Sequence, residues 1–252
     1  MRRREMGDRR FKMIISYDGT RYYGWEHQPD KETVQGKLEN VLQRLAGTFC
    51  EIIGAGRTDA GVHAKGMCAH FSMDTELAPE EIKAYFNRYL PDDIAVLDLR
   101  EASGRFHARY NATGKTYCYT IYQGSEKPVF DRKYVWTIEQ ELDTERMKKA
   151  AAVLTGRHDY AAFCKAAARN KSTVRTVDTI EIRQKGGYIT LRFHGDGFLR
   201  NMVRIMTGAI VAAGRGELTD QDLADILASR DRKRAPATAP AQGLCLEQVD
   251  YD

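Results

Sequence analysis

Apolar and polar positions alternate along the first part of the chain with the spacings of strands and helices. Four short apolar runs predict strands, at Phe11 to Tyr17, Phe49 to Ile53, Met67 to Met73 and Ile94 to Leu99. Two helices are predicted between them, one with Val34, Leu38, Val41, Leu42 and Leu45 at helical spacing and one from Pro79 to Tyr89. The resulting order, β-α-β-β-α-β, is that of a ferredoxin-like unit.

A second series of elements follows a polar, basic segment from Ala102 to Thr113. It comprises strands at Thr116 to Tyr122, Thr173 to Gln184, Tyr188 to His194 and Gly243 to Tyr251, and helices at Asp143 to Leu154, at Phe198 to Ala213 and from Thr219. We therefore predict an α+β fold of two ferredoxin-like, RRM-like β-α-β-β-α-β domains, residues 1–104 and 105–252. Their antiparallel sheets are expected to flank a central basic cleft.

The charge of the chain favours a polyanionic partner. A net charge of +4 is modest, but the basic residues are clustered. One cluster contains Arg2, Arg3, Arg4, Arg9 and Arg10, and the other contains Arg230, Arg232, Lys233 and Arg234. Such clusters can hold phosphates. A solvated basic tail is an equally good interpretation of the first one.

Several classes of protein are disfavoured by what the sequence contains. The five cysteines are widely spaced without a C-x-x-C pair, which is typical of reduced thiols in a cytoplasmic protein rather than of disulfides or zinc. No apolar run approaches the roughly 18 residues of a membrane span. No Walker, Rossmann, H-E-x-x-H or G-x-S-x-G motif occurs, which disfavours the nucleotide-binding, metalloprotease and serine-hydrolase sites that those motifs form.

The segment from Gly54 to Gly66 is the strongest candidate for chemistry. It is rich in glycine, lies between two predicted strands and carries Asp59, with Arg57 two residues before it. Such a loop displays a side chain from a rigid scaffold, and a carboxylate there can act as nucleophile or base. On these local features alone, a structural ion pair is the more common explanation.

Two further residues have a functional and a structural interpretation. Arg204 is the only charged residue between Met202 and Ala213, so it needs either a partner such as Asp59 or a path to solvent along its stem. Tyr117 lies in an alternating strand beside Lys115. It can stack on an extruded base or pack in the core, and the core role is the commoner one.

The segment G-R-T-D-A-G-V-H-A resembles the signature of the tRNA pseudouridine synthase A family. The resemblance extends over most of the chain. Further similar blocks are Tyr17-Asp18-Gly19-Thr20, Tyr23-Gly24-Trp25, Leu90-Pro91-Asp92-Asp93-Ile94, Phe106-His107-Ala108-Arg109, Lys115-Thr116-Tyr117, Phe198 to Arg204 and Ala239 to Leu244. Two residues depart from the family pattern, since Glu26 replaces the usual glutamine and Cys118 replaces a common basic residue.

The resemblance implies an isomerase that converts uridine to pseudouridine at positions 38, 39 and 40 of the tRNA anticodon stem-loop. It implies that Asp59 is the nucleophile, that Tyr117 stacks on the target uracil and that Arg204 is the basic partner of Asp59. Arg57 would match an arginine that helps to hold the base out of the helix. The resemblance also implies a homodimer without metal or organic cofactor.

Two rival functions remain open at this point. One is a non-catalytic RNA-binding protein, and the other is a small-molecule enzyme on the same kind of sheet. The sequence also leaves open whether Asp59 attacks C6 or C1′ or assists glycal formation, which uridine is preferred, where the subunits meet and how the tRNA is oriented.

Overall fold

A computed structural model describes residues 8–165 and 172–252 of the chain. The residues group into two compact units, one formed by residues 8–112 with Leu246–Asp252 and the other by Thr113–Cys245. Helices and mainly antiparallel strands occur in the chain, so the predicted α+β class is confirmed. A domain is a part that folds alone, and the predicted domain limits of 1–104 and 105–252 stay a prediction. Arg2, Arg3 and Arg4 of the N-terminal basic cluster lie outside the described residues.

The first unit has the predicted order of strands and helices. Its elements are β1 (Arg9–Tyr17), α1 (Val34–Ala46), β2 (Ile53–Gly54), β3 (His63–Met73), α2 (Pro79–Tyr89) and β4 (Ile94–Ala102). In the sheet, β1 lies between β4 and β3 and is antiparallel to both. The short β2 pairs with β3 in antiparallel fashion.

Alternation and helix capping explain these elements. Along β1 the side chains of Phe11, Met13 and Ile15 are fully buried, as expected for one apolar face of a strand. Helix α1 begins after Thr33, whose hydroxyl accepts a hydrogen bond from the amide of Gly36 at 3.2 Å. It ends at Gly47, which has a φ of 71° as many helix-ending glycines do.

The predicted strand from Phe49 to Ile53 is wrong except at its last residue. The strand begins only at Ile53, and the Phe49 side chain is 56% exposed. The backbone of Ile52 is bound by side chains of α1 instead of by a neighbouring strand. Its amide donates to Glu39 at 3.2 Å, and its carbonyl accepts from Gln35 at 3.0 Å.

The second unit contains a sheet with the strand order β5-β9-β8-β7. Its elements are β5 (Ala112–Tyr122), β6 (Trp136–Thr137), α3 (Thr144–Leu154), β7 (Gly156–Asp159), β8 (Val174–Lys185), β9 (Tyr188–Gly195), α4 (Met202–Gly214) and α5 (Asp220–Ser229), followed by β10 (Leu244–Tyr251), most of which belongs to the first unit. The predicted hairpin is present, with positive φ at Gly186 and Gly187. The sequence pattern did not predict β6 or β7.

Helix α4 forms the core of the second unit. Every residue from Met202 to Gly214 is buried except Arg204. The helix begins at Met202 rather than at the predicted Phe198, because Asn201 before it has a φ of 62° and interrupts helical geometry. None of the helices in the described ranges is long and apolar enough to cross a membrane.

Candidate active site

Asp59 lies on a loop whose two ends are joined by backbone pairing. Ile53 of β2 is opposite His70 of β3, and Gly54 is opposite Ala69. The amide of Ala55 continues the ladder by donating to the carbonyl of Cys68 at 2.8 Å. The loop therefore leaves and re-enters one sheet, and the half-buried Asp59 is displayed between its ends.

The segment after β1 packs against this loop so closely that two positions require glycine. A Cβ on Gly24, which has a φ of 94°, would lie 2.6 Å from the carbonyl oxygen of Thr58. A Cβ on Gly19 would lie 2.0 Å from the carbonyl oxygen of Val62. The two glycines thus allow backbone to meet backbone on both sides of Asp59.

Hydrogen bonds fix the residues that flank Asp59. The hydroxyls of Tyr17 and the buried Thr58 lie 2.8 Å apart, and the Trp25 amide donates to the Thr58 carbonyl at 3.1 Å. Within the loop, the amide of Val62 donates to the carbonyl of Asp59 at 3.1 Å. The backbone at Asp59 is therefore held from both directions.

A buried tyrosine connects the same region to the segment before β4. The Tyr22 hydroxyl donates to Asp93 at 2.6 Å, and the Tyr22 carbonyl accepts from the Gly61 amide at 3.3 Å. Burial, together with the bond to Asp93, raises the pKa of Tyr22 to about 12. Tyr22 consequently remains a neutral donor at physiological pH. Sequence reasoning missed this contact, although both residues lie in or beside blocks noted for the family.

Arg57 has an ion-pair partner that the sequence analysis did not predict. Its guanidinium pairs with the carboxylate of Glu26, and the two side chains are 61% and 45% exposed. Glu26 directly follows Trp25, whose backbone is bound to the Asp59 loop. The only sequence clue to this pair is a charged residue next to a segment rich in aromatics and glycine.

In the second unit, Tyr117 lies on β5 opposite Phe193 of β9. Its side chain is 8% exposed, and its ring meets the ring of Phe198 edge to face with centroids 5.3 Å apart. This contact fixes the plane of the tyrosine ring. It agrees with either a core tyrosine or a preorganised stacking surface.

Arg204 extends from α4 to the segment that precedes β10. Its Nε donates to the carbonyl of Ala239 at 2.8 Å, and the amide of Ala239 donates back to the Arg204 carbonyl at 3.1 Å. Nearby, the Tyr119 hydroxyl donates to the carbonyl of Pro240 at 2.8 Å. Burial raises the pKa of Tyr119, and the positive charge of Arg204 opposes that rise. The arginine is thus bound to protein rather than merely extended into solvent.

The predicted site residues fall into two sets. Asp59 and Arg57 belong to the first unit, whereas Tyr117 and Arg204 belong to the second. Their union in one site stays a prediction. Within the described ranges, no group of three or more His, Cys, Asp or Glu residues is arranged to hold a metal ion.

The basic clusters are partly occupied by structural contacts. Arg9 pairs with Glu101 at 2.7 Å, and Arg10 donates to the Phe106 carbonyl at 2.9 Å. In the second cluster, Arg230 pairs with Asp159 at 3.0 Å and Arg232 donates to the Ala235 carbonyl at 2.9 Å. The side chains of Lys233 and Arg234 are exposed, and they are the better candidates for contacts with phosphate.

Comparison with known proteins gives consistent matches. The family model described as tRNA pseudouridine synthase matches residues 13–111 and 150–252. The chain is 41% identical over 243 residues to "tRNA pseudouridine synthase A 2" of Clostridium perfringens, covering 96% of this chain and 100% of that protein. It is 44% identical over 242 residues to "tRNA pseudouridine synthase A" of a Bacillus species, strain KSM-64, covering 96% and 99% of the two chains.

Proposed function

This chain belongs to the tRNA pseudouridine synthase family, and from that membership we propose that it converts uridine to pseudouridine in the anticodon stem-loop of tRNA. Membership confirms the resemblance drawn from the sequence and the predicted enzyme class, an isomerase. The finer proposal is that the target uridines are those at positions 38, 39 and 40. We further propose a homodimer that acts in the cytoplasm.

The observation that carries the proposal is the fixed display of Asp59. Asp59 is half-buried on a loop whose neighbouring residue Thr58 is bound by Tyr17 and Trp25 and closely approached by Gly24. A catalytic group gains from such fixation, because misplacement by about 1 Å can cost about a hundredfold in rate. A loop that served only as a connection would not need this number of constraints.

The proposed reaction breaks the N1–C1′ bond of uridine, rotates the base and joins C5 to C1′. A base within a stem cannot rotate, so the nucleotide must first be flipped out of the helix. Asp59 then acts as the nucleophile at C6 or C1′, or assists formation of a glycal. Each route ends with a proton leaving C5 and the carboxylate free again, so the isomerisation has no net redox change and requires no redox cofactor.

The other three residues have proposed roles around the flipped base. Tyr117 stacks on the uracil, a contact worth about 1–3 kcal/mol per base in proteins that bind single strands. The edge contact with Phe198 supports this role by holding the plane of the tyrosine ring. Arg204 is the basic partner of Asp59, and Arg57 helps to keep the base out of the helix.

Release of tritium from tRNA that carries 5-tritiated uridine tests the proposal, since pseudouridine formation exchanges that hydrogen. We expect release by the wild-type protein and none by Asp59→Ala or Asp59→Asn, with melting temperatures that stay close to the wild type. Wild-type protein that binds tRNA without release would support the RNA-binding rival. Inactivity on all tRNA would refute the proposed isomerase.

A further inference from the structure

The ion pair between Arg57 and Glu26 lies beside the proposed nucleophile, and the reaction described above gives Glu26 no role. The two side chains are 61% and 45% exposed, so the pair is open to solvent and to a large ligand. Arg57 itself is a proposed substrate contact. The ion pair with Glu26 in the free protein therefore affects how Arg57 can bind RNA.

The position of Glu26 is fixed by contacts on both sides of it. The amide of Trp25 donates to the carbonyl of Thr58 at 3.1 Å, and the amide of His27 donates to Gln35 of α1 at 2.9 Å. The Trp25 side chain is only 2% exposed. Residue 26 is therefore anchored between α1 and the Asp59 loop, and its carboxylate is aimed at the loop by the fold.

We propose that Glu26 is a positioning residue that holds Arg57 in the free protein and competes with RNA for it. The inference rests on the proposed function, in which Arg57 contacts the substrate. A phosphate or a base-edge oxygen offers the guanidinium the same charge-assisted hydrogen bonds as a carboxylate does. The ion pair uses a terminal nitrogen of Arg57, so RNA that binds the same nitrogen must first break the pair with Glu26.

The expected consequence is that the protein binds all tRNA less tightly but discriminates better between RNA that contacts Arg57 and RNA that does not. RNA that places an acceptor group on Arg57 breaks the ion pair and gains that contact. RNA that binds elsewhere through its phosphates leaves the pair intact and does not gain it. An exposed ion pair of this kind alters an equilibrium by about 1.5- to 5-fold. Removing the carboxylate should therefore tighten tRNA binding by a factor in that range.

The dissociation constant of full-length protein for an unmodified tRNA transcript, measured at several KCl concentrations, tests the proposal. We expect Glu26→Gln to bind about 1.5- to 5-fold more tightly than wild type and to show a salt slope steeper by up to about 0.9. Glu181→Gln is the matched control, since Glu181 also forms an exposed ion pair with an arginine, Arg183, at 2.9 Å. Neither residue belongs to the candidate site or to the two basic clusters, so this control should leave the constant unchanged.

The same substitution made in Arg57→Gln protein distinguishes competition for Arg57 from simple repulsion of RNA by Glu26. In Arg57→Gln protein, Glu26→Gln should no longer tighten binding, because there is no guanidinium left to release. Equal tightening in both backgrounds would overturn the proposal, and so would weaker binding by Glu26→Gln, which would mean that Glu26 supports Arg57 in the complex. Absence of tritium release by wild type would instead refute the isomerase, so the two failures are distinguishable.

Discussion

Replacing Gly24 by alanine should damage catalysis more than it damages the fold. The backbone of Gly24 has a φ of 94°, which an alanine adopts with a strain of about 1–2 kcal/mol. The new Cβ would also lie 2.6 Å from the Thr58 carbonyl oxygen, so the two groups must separate by about 0.8 Å to reach the 3.4 Å of ordinary contact. Thr58 directly precedes Asp59, and the carboxylate must move with it.

The magnitude follows from that displacement. A shift of about 1 Å in a reacting group costs about a hundredfold in rate, so we expect kcat for Gly24→Ala to fall by roughly that factor. The strain should lower the melting temperature by only about 2–8 °C, given about 2–4 °C per kcal/mol for a chain of this size. The assay is single-turnover tritium release, with a thermal melt followed by circular dichroism.

Gly47→Ala is the matched control for backbone strain. Gly47 also has a positive φ, of 71°, but a Cβ there would meet nothing within 4 Å. It should lose similar stability and keep its rate. A Gly24→Ala protein that is folded and turns over within threefold of Gly47→Ala would refute the reasoning. If Gly24→Ala does not fold, Tyr17→Phe applies the same test more gently, since it removes the 2.8 Å hydrogen bond to Thr58.

Two other predictions concern single side chains. Tyr117→Phe should keep base stacking, whereas Tyr117→Ala should raise KM for tRNA by about 5- to 150-fold, the equivalent of 1–3 kcal/mol; equal KM values for the two variants would contradict the stacking role. Burial lowers the pKa of His70 to about 4, below its ordinary 6.5, and its ring accepts a hydrogen bond from the Ala108 amide at 3.1 Å. The unfolded chain thus binds the proton more readily, so stability should fall by on the order of 3 kcal/mol as pH drops from 6.5 to 4. Urea titrations at several pH values measure the free energy of unfolding. That free energy should depend less on pH in His70→Asn than in the wild type, and an equal dependence in both proteins would contradict the role of His70.

The elements that the sequence predicted well are those whose burial follows a regular period. Strand β1 and helix α1 each bury one face, and their spacing shows in the sequence. Strands β6 and β7 have two and four residues, too few for a period. Each is stabilised by pairing with a neighbouring strand that lies at least 15 residues away in the chain. Such tertiary pairing leaves no local pattern.

The candidate site shows the same division between local and tertiary information. Asp59 could be proposed as a candidate because the loop around it has a local signature, namely glycine density between two apolar runs. The pair between Arg57 and Glu26 could not, because it depends on how the segment after β1 folds back onto the loop. Likewise, the sequence predicted that Arg204 has either a partner or a path to solvent. The hydrogen bond to the Ala239 carbonyl is visible only in the folded structure.

Three of the blocks that carry the family resemblance in the first unit lie against the loop that carries Asp59. Gly19 meets Val62, Gly24 meets Thr58, and Tyr22 links Gly61 to Asp93. Each of these contacts joins a separate sequence block to the residues around Asp59. A substitution in any block therefore shifts the same short stretch of backbone, so their effects on turnover should be strongly non-additive when combined. Residues far apart in the chain thus hold one short stretch of backbone, the residues on either side of Asp59.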